Sequence, residues 1–516
     1  MSVPAETPRA PPLTGAPLAL LTVAVAFSTF MEVLDLTIVN VSVPHIAGSL
    51  GVSPNEGTWA ISSYSLASAV MQPLTGWIAR RFGEVRAFCV AVLLFVAMSM
   101  LCGLATSMPM LVVARLLQGA GSGPMVALSQ ALLLNNYPND KKGIALALWA
   151  MTVVIAPIFG PILGGWITDN YSWPWIFYIN VPVGLLAAFV TATLLRGRES
   201  RIVRAPIDVV GLVLLVVGVG CLQFMLDNGN DQDWFESGLI VTLGLVALVA
   251  LAFFVAWELT DRHPVVDLHL FGKRNFAVGV TALSMGMIGF FGINVVFPLW
   301  LQVNLGYTAT WAGLATAPVG ILAFLLSPLV GRNIQRLELR SVASFAFVVF
   351  GACALWFARF PSDATFGQLA LPRFLMGIGI ACFFVPINQV ILSGLKPEQL
   401  ASAAGISNFC RTISASFSTA VMVTLWQHRG DFHHAMLAEH LDRASPAVNG
   451  YLEHLQTLGA TATRAWAMVD RVVTREALTG AVNDVFLICA VLFFAMIPLL
   501  WLAKPPFGNA GAATVH

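Results

Sequence analysis

The sequence contains Arg115-Leu116-Leu117-Gln118-Gly119-Ala120-Gly121 and, 258 residues later, Arg373-Phe374-Leu375-Met376-Gly377-Ile378-Gly379. A second pair agrees with this repeat: Thr-Trp-Ala followed by Pro-Leu-x-Gly occurs in residues 58–76 and again in residues 310–331. The second pair begins with an offset of 252 residues, so the spacing is nearly constant. Chance is a poor explanation for an arginine at the same position in two apolar segments. The sequence therefore predicts two halves duplicated in the same orientation.

The composition around these stretches is typical of a membrane protein. Of 516 residues, 58% are hydrophobic and 10% are charged, whereas a soluble domain has about 25% charged residues. No charged residue occurs in 275–331, and an apolar run of about 20 residues is long enough to cross the hydrocarbon core as a helix. We predict an all-α integral membrane protein.

The apolar segments predict fourteen transmembrane helices, centred near residues 30, 68, 97, 122, 156, 186, 217, 247, 288, 321, 350, 382, 414 and 493. Two parallel six-helix halves are the architecture of the major facilitator fold, and fourteen spans leave two extra helices between the halves. We predict a six-helix bundle in residues 1–200, a two-helix insert in residues 201–262 and a second six-helix bundle in residues 263–516.

The positive charges predict the orientation. Eighteen of the 27 Lys and Arg residues fall in alternate loops and in the two tails. The intervening short loops, around residues 50, 107, 172, 231 and 306, contain none. Because Lys and Arg accumulate on the cytoplasmic side of membrane proteins, we predict that both termini are cytoplasmic.

One outer segment, about residues 427–483, is polar and is predicted to be a periplasmic loop with helix-like stretches. It contains five histidines, namely His428, His433, His434, His440 and His454. Their spacing is not typical of a metal site, and the seven cysteines of the chain are dispersed without a CxxC pair. We therefore expect no metal site and no disulfide framework, and the loop either binds a partner or is simply solvated.

Two carboxylates lie inside the first predicted span. Glu32 and Asp35 are three residues apart and share one helix face, where an ionised group costs about 2.5 to 3.5 kcal/mol on insertion scales. Arg115, in the fourth span, is the best-placed partner for Asp35. A carboxylate that alternates between water and an arginine can bind a proton on one side and release it on the other. Alternatively, Asp35 and Arg115 form a permanent pair that only orders the helix bundle. Glu32 has its own alternatives: it binds a cationic substrate, tunes Asp35 or faces a wet vestibule.

The fifth predicted span contains Pro157, Gly160, Pro161, Gly164 and Gly165. Proline removes a backbone donor and glycine removes side-chain bulk, so this helix can bend and let a neighbour approach closely. A simple packing helix is the alternative interpretation.

Further polar residues in the spans are candidates for a substrate cavity: Asn40, Gln118, Asn408 and Arg411. For Asn408, an amide that is hydrogen-bonded between helices fits as well as substrate contact. For Arg411, a side chain that reaches the membrane surface fits as well as substrate contact. The sequence has no GxxxxGK[ST] loop, nucleophile elbow or HExxH motif. We therefore predict a transporter with no catalytic residues, no cofactor and no nucleic-acid partner.

The motifs together resemble the fourteen-span drug:proton antiporters of the major facilitator superfamily, and specifically EmrB-like multidrug exporters, over nearly the whole chain. The resemblance rests on residues 34–40, 115–119, 134–138, 160–165, 175–182, 257–261 and 503–508. It implies a Gram-negative inner-membrane protein that exports small amphipathic or hydrophobic molecules in exchange for protons. It also implies a tripartite pump, in which a periplasmic membrane-fusion adaptor connects the exporter to an outer-membrane channel.

For individual residues, the resemblance implies that Asp35 and Arg115 carry proton coupling and that residues 157–165 hold the antiporter motif. The chain departs from the superfamily pattern GxLaDRxG, which reads Gly76-Trp77-Ile78-Ala79-Arg80-Arg81-Phe82-Gly83 here. Arg80 replaces the usual Asp, so the cytoplasmic latch ascribed to that Asp is not expected. Glu32 also stands where the resemblance leads to Gln.

Two other functions fit parts of the pattern. A non-transporting membrane scaffold or sensor would use the pair of Asp35 and Arg115 only for structure. The other is an importer of the same fold, against which the resemblance of residues 160–165 to the antiporter motif argues. We expect an exporter that works by alternating access, with Asp35, Arg115 and Glu32 as its coupling residues.

Overall fold

The computed structural model describes residues 12–138, 141–200, 202–203, 208–261, 264–334, 336–439, 446–458, 461–505 and 507. Within these ranges every regular element is helical. The helices before residue 200 are α1 (Gly15–Leu50), α2 (Pro54–Gly57), α3 (Trp59–Met71), α4 (Thr75–Phe82), α5 (Glu84–Gly103), α6 (Met108–Asn136), α7 (Lys142–Asn170), α8 (Trp175–Tyr178) and α9 (Asn180–Leu194).

The later helices include the predicted insert, α10 and α11. They are α10 (Val209–Asn228), α11 (Gly238–Thr260), α12 (Arg274–Asn304), α13 (Ala309–Thr316), α14 (Pro318–Asn333), α15 (Leu339–Phe357), α16 (Phe366–Leu392), α17 (Leu400–Glu439), α18 (Pro446–Thr457) and α19 (Ala462–Leu500). Each of the fourteen predicted centres lies within one of the helices of the chain.

Eleven helical segments of the described chain are long and apolar enough to cross a membrane, judged by length and composition. Three predicted spans are not among them. The span of α3 and α4 is interrupted by a turn at residues 72–74, α7 counts only as the shorter apolar helix Lys142–Val153, and α17 is not apolar enough. The protein is multi-pass, and the count of fourteen stays a prediction.

Equivalent helices pack in the same way in the two halves. A side chain at Gly119 of α6 would overlap the carbonyl oxygen of Tyr64 in α3, and one at Gly377 of α16 would overlap the carbonyl oxygen of Val319 in α14. Glycine at a helix crossing allows two backbones to approach closely. The glycines of the repeated motif are therefore required because the same pair of helices crosses twice.

The halves meet at the end that carries the Lys- and Arg-rich loops. A Cβ at Gly143, near the start of α7, would overlap the backbone of Gly331 at the end of α14. A Cβ at Gly76 of α4 would lie 2.5 Å from the Cβ of Ser402 in α17. Two helix pairs from opposite halves are thus in backbone contact, and the structure is closed at this end.

An amide pair joins the halves at the centre of this closure. Gln130 Nε2 of α6 donates a hydrogen bond of 3.0 Å to Asn388 Oδ1 of α16, and the two residues are 258 positions apart. They are therefore equivalent positions of the repeat, bonded to each other across the approximate twofold relationship between the halves. Both side chains are buried.

The insert lies against both halves. α10 packs on α3 and on α17. Gln223 Nε2 donates to Ser416 Oγ of α17 at 3.0 Å, and Trp234 Nε1 donates to Thr424 Oγ1 at 2.8 Å. α11 packs chiefly on α10 and leaves large apolar side chains such as Leu248 and Phe253 exposed, as expected of a helix that faces lipid.

The outer segment, residues 427–483, was predicted to be a loop with helix-like stretches, and most of its described part is helical; that it is periplasmic stays a prediction. α17 continues to Glu439, α18 follows, and α19 begins at Ala462. Leu452, Val469 and Val473 belong to a small core shared by these helices. Apolar residues at helical spacing can bury one stripe even in a polar sequence. We call this part of the molecule, residues 427–483, the outer hairpin.

The histidines of the outer hairpin take part in local bonds. His433 Nε2 and Arg429 Nη2 both bond to Asp484 Oδ2, at 2.8 and 2.6 Å, and His434 Nε2 bonds to Asp470 Oδ1 at 3.2 Å. His440 lies outside the described residues. Within the described residues, no group of three or more His, Cys, Asp or Glu side chains is arranged to hold a metal ion.

Candidate functional site

Asp35 of α1 and Arg115 of α6 form an ion pair inside the first half. Arg115 Nη1 bonds to Asp35 Oδ2, and both side chains are 0% exposed. α1 and α6 are in direct contact, and α9 packs on α1 beside them. The two residues that the sequence predicted as partners are therefore brought together at the point where these helices meet.

A hydrogen-bond network surrounds the pair. Gln118 Nε2 and Asn180 Nδ2 donate to Asp35 Oδ1 at 3.3 and 3.0 Å, so both carboxylate oxygens have donors. Asn180 also donates to Ser99 Oγ at 3.1 Å. Arg115 donates to Gln118 Oε1 at 2.8 Å and, through Nε, to the Ala60 carbonyl at 2.7 Å. The charges are held by donors and acceptors from α3, α5, α6 and α9.

Aromatic rings cover the guanidinium. The Arg115 Cζ lies 4.1 Å from the ring centroid of Tyr64 and 5.6 Å from that of Phe177. Arg115 Nη2 and the Tyr64 hydroxyl are buried without a hydrogen-bond partner. A cation over an aromatic face is attracted by the ring quadrupole, so the rings stabilise the charge while one nitrogen still lacks an acceptor.

The second half contains the same arrangement without its carboxylate. Arg373 of α16, which is 0% exposed, donates from Nη1 to Asn294 Oδ1 of α12 at 3.2 Å. Met376 stands where the first half has Gln118, and the Arg373 Cζ lies 4.6 Å from the centroid of Phe297. Arg373 Nε and Nη2 have no hydrogen-bond partner. An asparagine thus faces the second arginine where Asp35 faces the first.

Glu32 and Arg411 lie at the boundary between the halves. Glu32 is 2% exposed and interacts electrostatically with Arg411 of α17 and with Asp35. Arg411 is half-buried, and Glu32 is the carboxylate that acts on its guanidinium. The structure therefore places one acidic and one basic side chain, from opposite halves, within electrostatic range of each other.

The remaining predicted residues are two asparagines and the glycines and prolines of α7. Asn40 is exposed and lies away from the ion pair, and Asn408 is buried with its amide bonded to Ala404 O of its own helix at 2.8 Å. A Cβ at Gly160 of α7 would lie 3.1 Å from the backbone carbon of Thr37, and one at Gly164 would lie 2.7 Å from the Ile38 carbonyl oxygen.

The glycine motif therefore sets how closely α7 packs on α1, directly beyond Asp35. Gly165 lies on the same helix. The side chains of Pro157 and Pro161 lie outside the described residues.

The fold agrees with what comparison with known proteins finds. The profile of the Major Facilitator Superfamily matches residues 25–419. The chain belongs to this superfamily. It is 47% identical over 501 residues to the multidrug export protein EmrB of Escherichia coli strain K12, covering 97% of this chain and 98% of that protein.

Two further matches are a bacterial resistance protein and a solved structure of a human transporter. The fatty acid resistance protein FarB of Neisseria gonorrhoeae is 46% identical, and the match covers 97% of this chain and 99% of FarB. The crystal structure of the human organic anion transporter MFSD10 matches with a TM-score of 0.57 and 13% identity, covering 94% of this chain and all of that one. The chain is thus an EmrB-like member of the superfamily and a transporter rather than an enzyme.

Sequence reasoning missed three residues of the site. Asn180 lies in the EmrB-like stretch 175–182, so that stretch carried a signal whose role was not recognised. Ser99 and Tyr64 carried none, because a serine or a tyrosine in an apolar helix is common and its partner depends on tertiary packing.

Replacing Asn294 by Asp is expected to raise the stability of this superfamily member. The new carboxylate would face Arg373, whose charge now meets an amide oxygen, and a hydrogen bond to a charged group contributes roughly 1.5 to 3 kcal/mol. The measurement is the unfolding temperature of purified protein in detergent. Asn294→Ala, which removes the acceptor, is the matched control and should be less stable than the native chain. A lower unfolding temperature for Asn294→Asp would show that Arg373 needs no counter-charge.

Proposed function

We propose that this protein is a proton-coupled antiporter that exports small amphipathic or hydrophobic drugs from a Gram-negative cell. The buried pair of Asp35 and Arg115 is the observation that carries the proposal, because an ionisable pair inside a membrane protein is costly and marks ion or proton pathways. The 47% identity to a multidrug export protein supports the same substrate class. The chain would lie in the inner membrane with fourteen spans and both termini in the cytoplasm.

Proton coupling follows from competition for Asp35. In the observed state its carboxylate is fully supplied with donors by Arg115, Gln118 and Asn180. When the helices separate and water enters, a proton can replace the guanidinium as the partner of the carboxylate. Closing the site again returns the carboxylate to Arg115 and expels the proton. One proton is thereby exchanged for each change of helix packing at this point.

The antiporter motif supplies the moving contact. Gly160 and Gly164 let α7 lie against the backbone of Thr37 and Ile38, one helical turn beyond Asp35. A shift of α7 changes the packing around α1 and so the access of water to Asp35. Helix contacts through small residues are well suited to such sliding, because they hold few interlocking side chains.

The closed end of the structure is consistent with one state of an alternating-access cycle. α7 contacts α14 and α4 contacts α17 at the Lys- and Arg-rich end, which the charge distribution places in the cytoplasm. In the proposed cycle this is the outward-facing state after drug has left and before Asp35 takes up a proton, which follows once water reaches its carboxylate. Breaking these contacts would open the cytoplasmic side, where the proton leaves and the next drug enters.

Glu32 and Arg411 are the proposed charge-selective part of the drug site. They come from opposite halves, and their electrostatic interaction would be exchanged for contacts with a charged drug. An acidic amphipathic molecule would bind Arg411, and a basic one would bind Glu32. The name of the 46% identical relative, a fatty acid resistance protein, is consistent with acidic amphipathic substrates.

The outer hairpin is the proposed docking site for a periplasmic membrane-fusion adaptor, which would link the exporter to an outer-membrane channel. It is fixed to the second half, since Asn304 Nδ2 donates to Thr479 Oγ1 at 2.8 Å and Asn483 Nδ2 donates to the Phe360 carbonyl at 3.0 Å. Its surface exposes large apolar side chains, including Leu458 at 71% and Val472 at 48%. Exposed apolar surface on a soluble extension is typical of a protein interface.

A scaffold or sensor function is the second candidate, and one observation favours it. Asp35 and Arg115 are so completely buried and bonded that they would serve equally well as a permanent structural pair. Import is the third alternative and would reverse the direction of the same cycle. Transport assays on the native chain and on a variant of Asp35 distinguish the exporter, the importer and the scaffold or sensor.

Asp35→Asn is expected to abolish export and substrate-induced proton release while leaving the protein folded. Folding should survive because Arg373 already faces an asparagine in the second half. The measurement is proton release from detergent-purified protein on addition of amphipathic compounds, together with export from vesicles. Asp363→Asn changes an exposed carboxylate and should behave like the native chain. Full export by Asp35→Asn would show that the pair is structural and does not couple protons. Absence of transport even by the native chain would favour a scaffold or sensor, and substrate-driven uptake would favour import.

Opposite substrate preferences are expected from Glu32→Gln and Arg411→Gln. The first should lower export of cationic amphipathic compounds about tenfold, and the second that of anionic ones, since about 1.4 kcal/mol of lost binding corresponds to a factor of ten. Export of neutral compounds serves as the internal control. Equal losses for all three classes would mean that the two side chains support the structure rather than select the drug.

Leu458→Glu combined with Val472→Glu is expected to prevent co-purification of the adaptor encoded by the same organism. Two charges would disrupt an apolar interface on the outer hairpin, whereas drug binding in the membrane should persist. Glu453→Gln, an exposed change on the same hairpin, is the control. Deleting residues 432–475 should have the same effect as the double variant. Adaptor binding that survives both changes would move the docking site elsewhere.

A further inference from the structure

A second pair of carboxylates lies at the end of the insert that faces away from the outer hairpin. Glu258, in the last turn of α11, is 0% exposed. Its Oε2 accepts a hydrogen bond of 3.2 Å from the Val266 backbone amide. Its other oxygen, Oε1, is buried without any hydrogen-bond partner. A buried carboxylate oxygen that lacks a donor is costly when the group is ionised.

Asp208 faces this oxygen from the start of α10. Its Oδ1 accepts from the Gly211 amide at 2.9 Å, as an N-cap, and its Oδ2 accepts from Trp257 Nε1 at 2.9 Å. A Cβ at Gly211 would overlap Asp208 Oδ2 and would lie 2.6 Å from Glu258 Oε1. The two oxygens therefore occupy the space next to one glycine, about 5 Å apart or less, where like charges repel strongly in a low-dielectric interior.

Among the described residues, the charges nearest the pair add to this repulsion. Asp261, directly after α11, adds a further negative charge near Glu258, as does Asp208 from α10. In the segment that follows α11, Asp267 interacts with Arg80, and its Oδ1 lies 3.7 Å from Nδ1 of His269. Among the described residues, neither Glu258 nor Asp208 has an ion-pair partner. Two facing carboxylates repel each other when both are ionised, and a single proton held between them relieves this repulsion, as in acid pairs of known enzymes.

We propose that Glu258 and Asp208 together bind one proton, with the hydroxyl of protonated Glu258 directed towards Asp208. The proton comes from water and supplies the donor that Oε1 lacks. It leaves Oε2 free to accept from Val266. This proton site is separate from the Asp35 site and lies on the two helices that the duplicated halves do not contain.

The shared proton would join three parts of the chain. Asp208 begins α10, Glu258 ends α11, and Val266 belongs to the segment that leads into α12. With the proton bound, the three are held together by hydrogen bonds around Gly211. Loss of the proton would place two negative charges beside each other and weaken the attachment of the insert to the second half.

Infrared difference spectroscopy of the purified full-length protein tests the proposal. The native chain minus Glu258→Gln, at neutral pH, should show the C=O stretching band of a protonated carboxylic acid. Glutamine has the same shape and can donate to Asp208, so this variant should fold. A difference spectrum that contains only carboxylate bands would overturn the proposal, because Glu258 would then be ionised.

Two further variants separate the proton site from a structural role. In Asp208→Asn the acid band should change frequency, because the acceptor of its hydrogen bond changes from a carboxylate to an amide. In Glu236→Gln, an exposed change just before the start of α11, the band should stay at the native frequency. If Glu258→Gln fails to fold, an unshifted band in Asp208→Asn would by itself reject the shared proton. The spectrum reports the protonation state of Glu258 and does not measure export, so its result is independent of the proposed antiport.

Discussion

The ion pair between Asp35 and Arg115 is the interaction around which the first half is organised. Two opposite charges inside a membrane protein are costly unless most of their donors and acceptors have partners. Gln118, Asn180 and the Ala60 carbonyl supply those partners from three helices. The positions of α3, α6 and α9 relative to α1 are therefore constrained by one carboxylate, and a change in the state of that carboxylate must be felt by each of them.

The duplicated half shows what the same helix crossings look like without the carboxylate. Gly119 and Gly377 permit the same close approach, and an arginine follows the same course in both. In the second half Asn294 and Met376 replace Asp35 and Gln118, and rings cover the charge. The backbone frame thus does not depend on proton chemistry. Among the described residues, a buried carboxylate faces the arginine of the first half, and an amide takes its place in the second.

The repeat, the helix centres and the partnership of Asp35 with Arg115 could all be predicted from the sequence, because they depend on local pattern and on the high cost of charge in a membrane. The partners of the pair could not. Asn180 meets Asp35, and Ser99 meets Asn180, only through the packing of α5 and α9. The core of the outer hairpin could not be predicted either, since its few apolar residues come together only when three separate helices assemble.

The contacts between the halves differ in kind from the contacts within them. Within the first half, breaking the buried charge pair by removing one partner would cost about 3 to 5 kcal/mol. Between the halves, the closure described here rests on backbone approaches at Gly143, Gly331 and Gly76 and on the hydrogen bond from Gln130 to Asn388, which contributes only about 0.5 to 1.5 kcal/mol. The polar contacts at this closure are therefore fewer and weaker than those of the ion-pair network, so they would break at a lower cost than the buried charge pair.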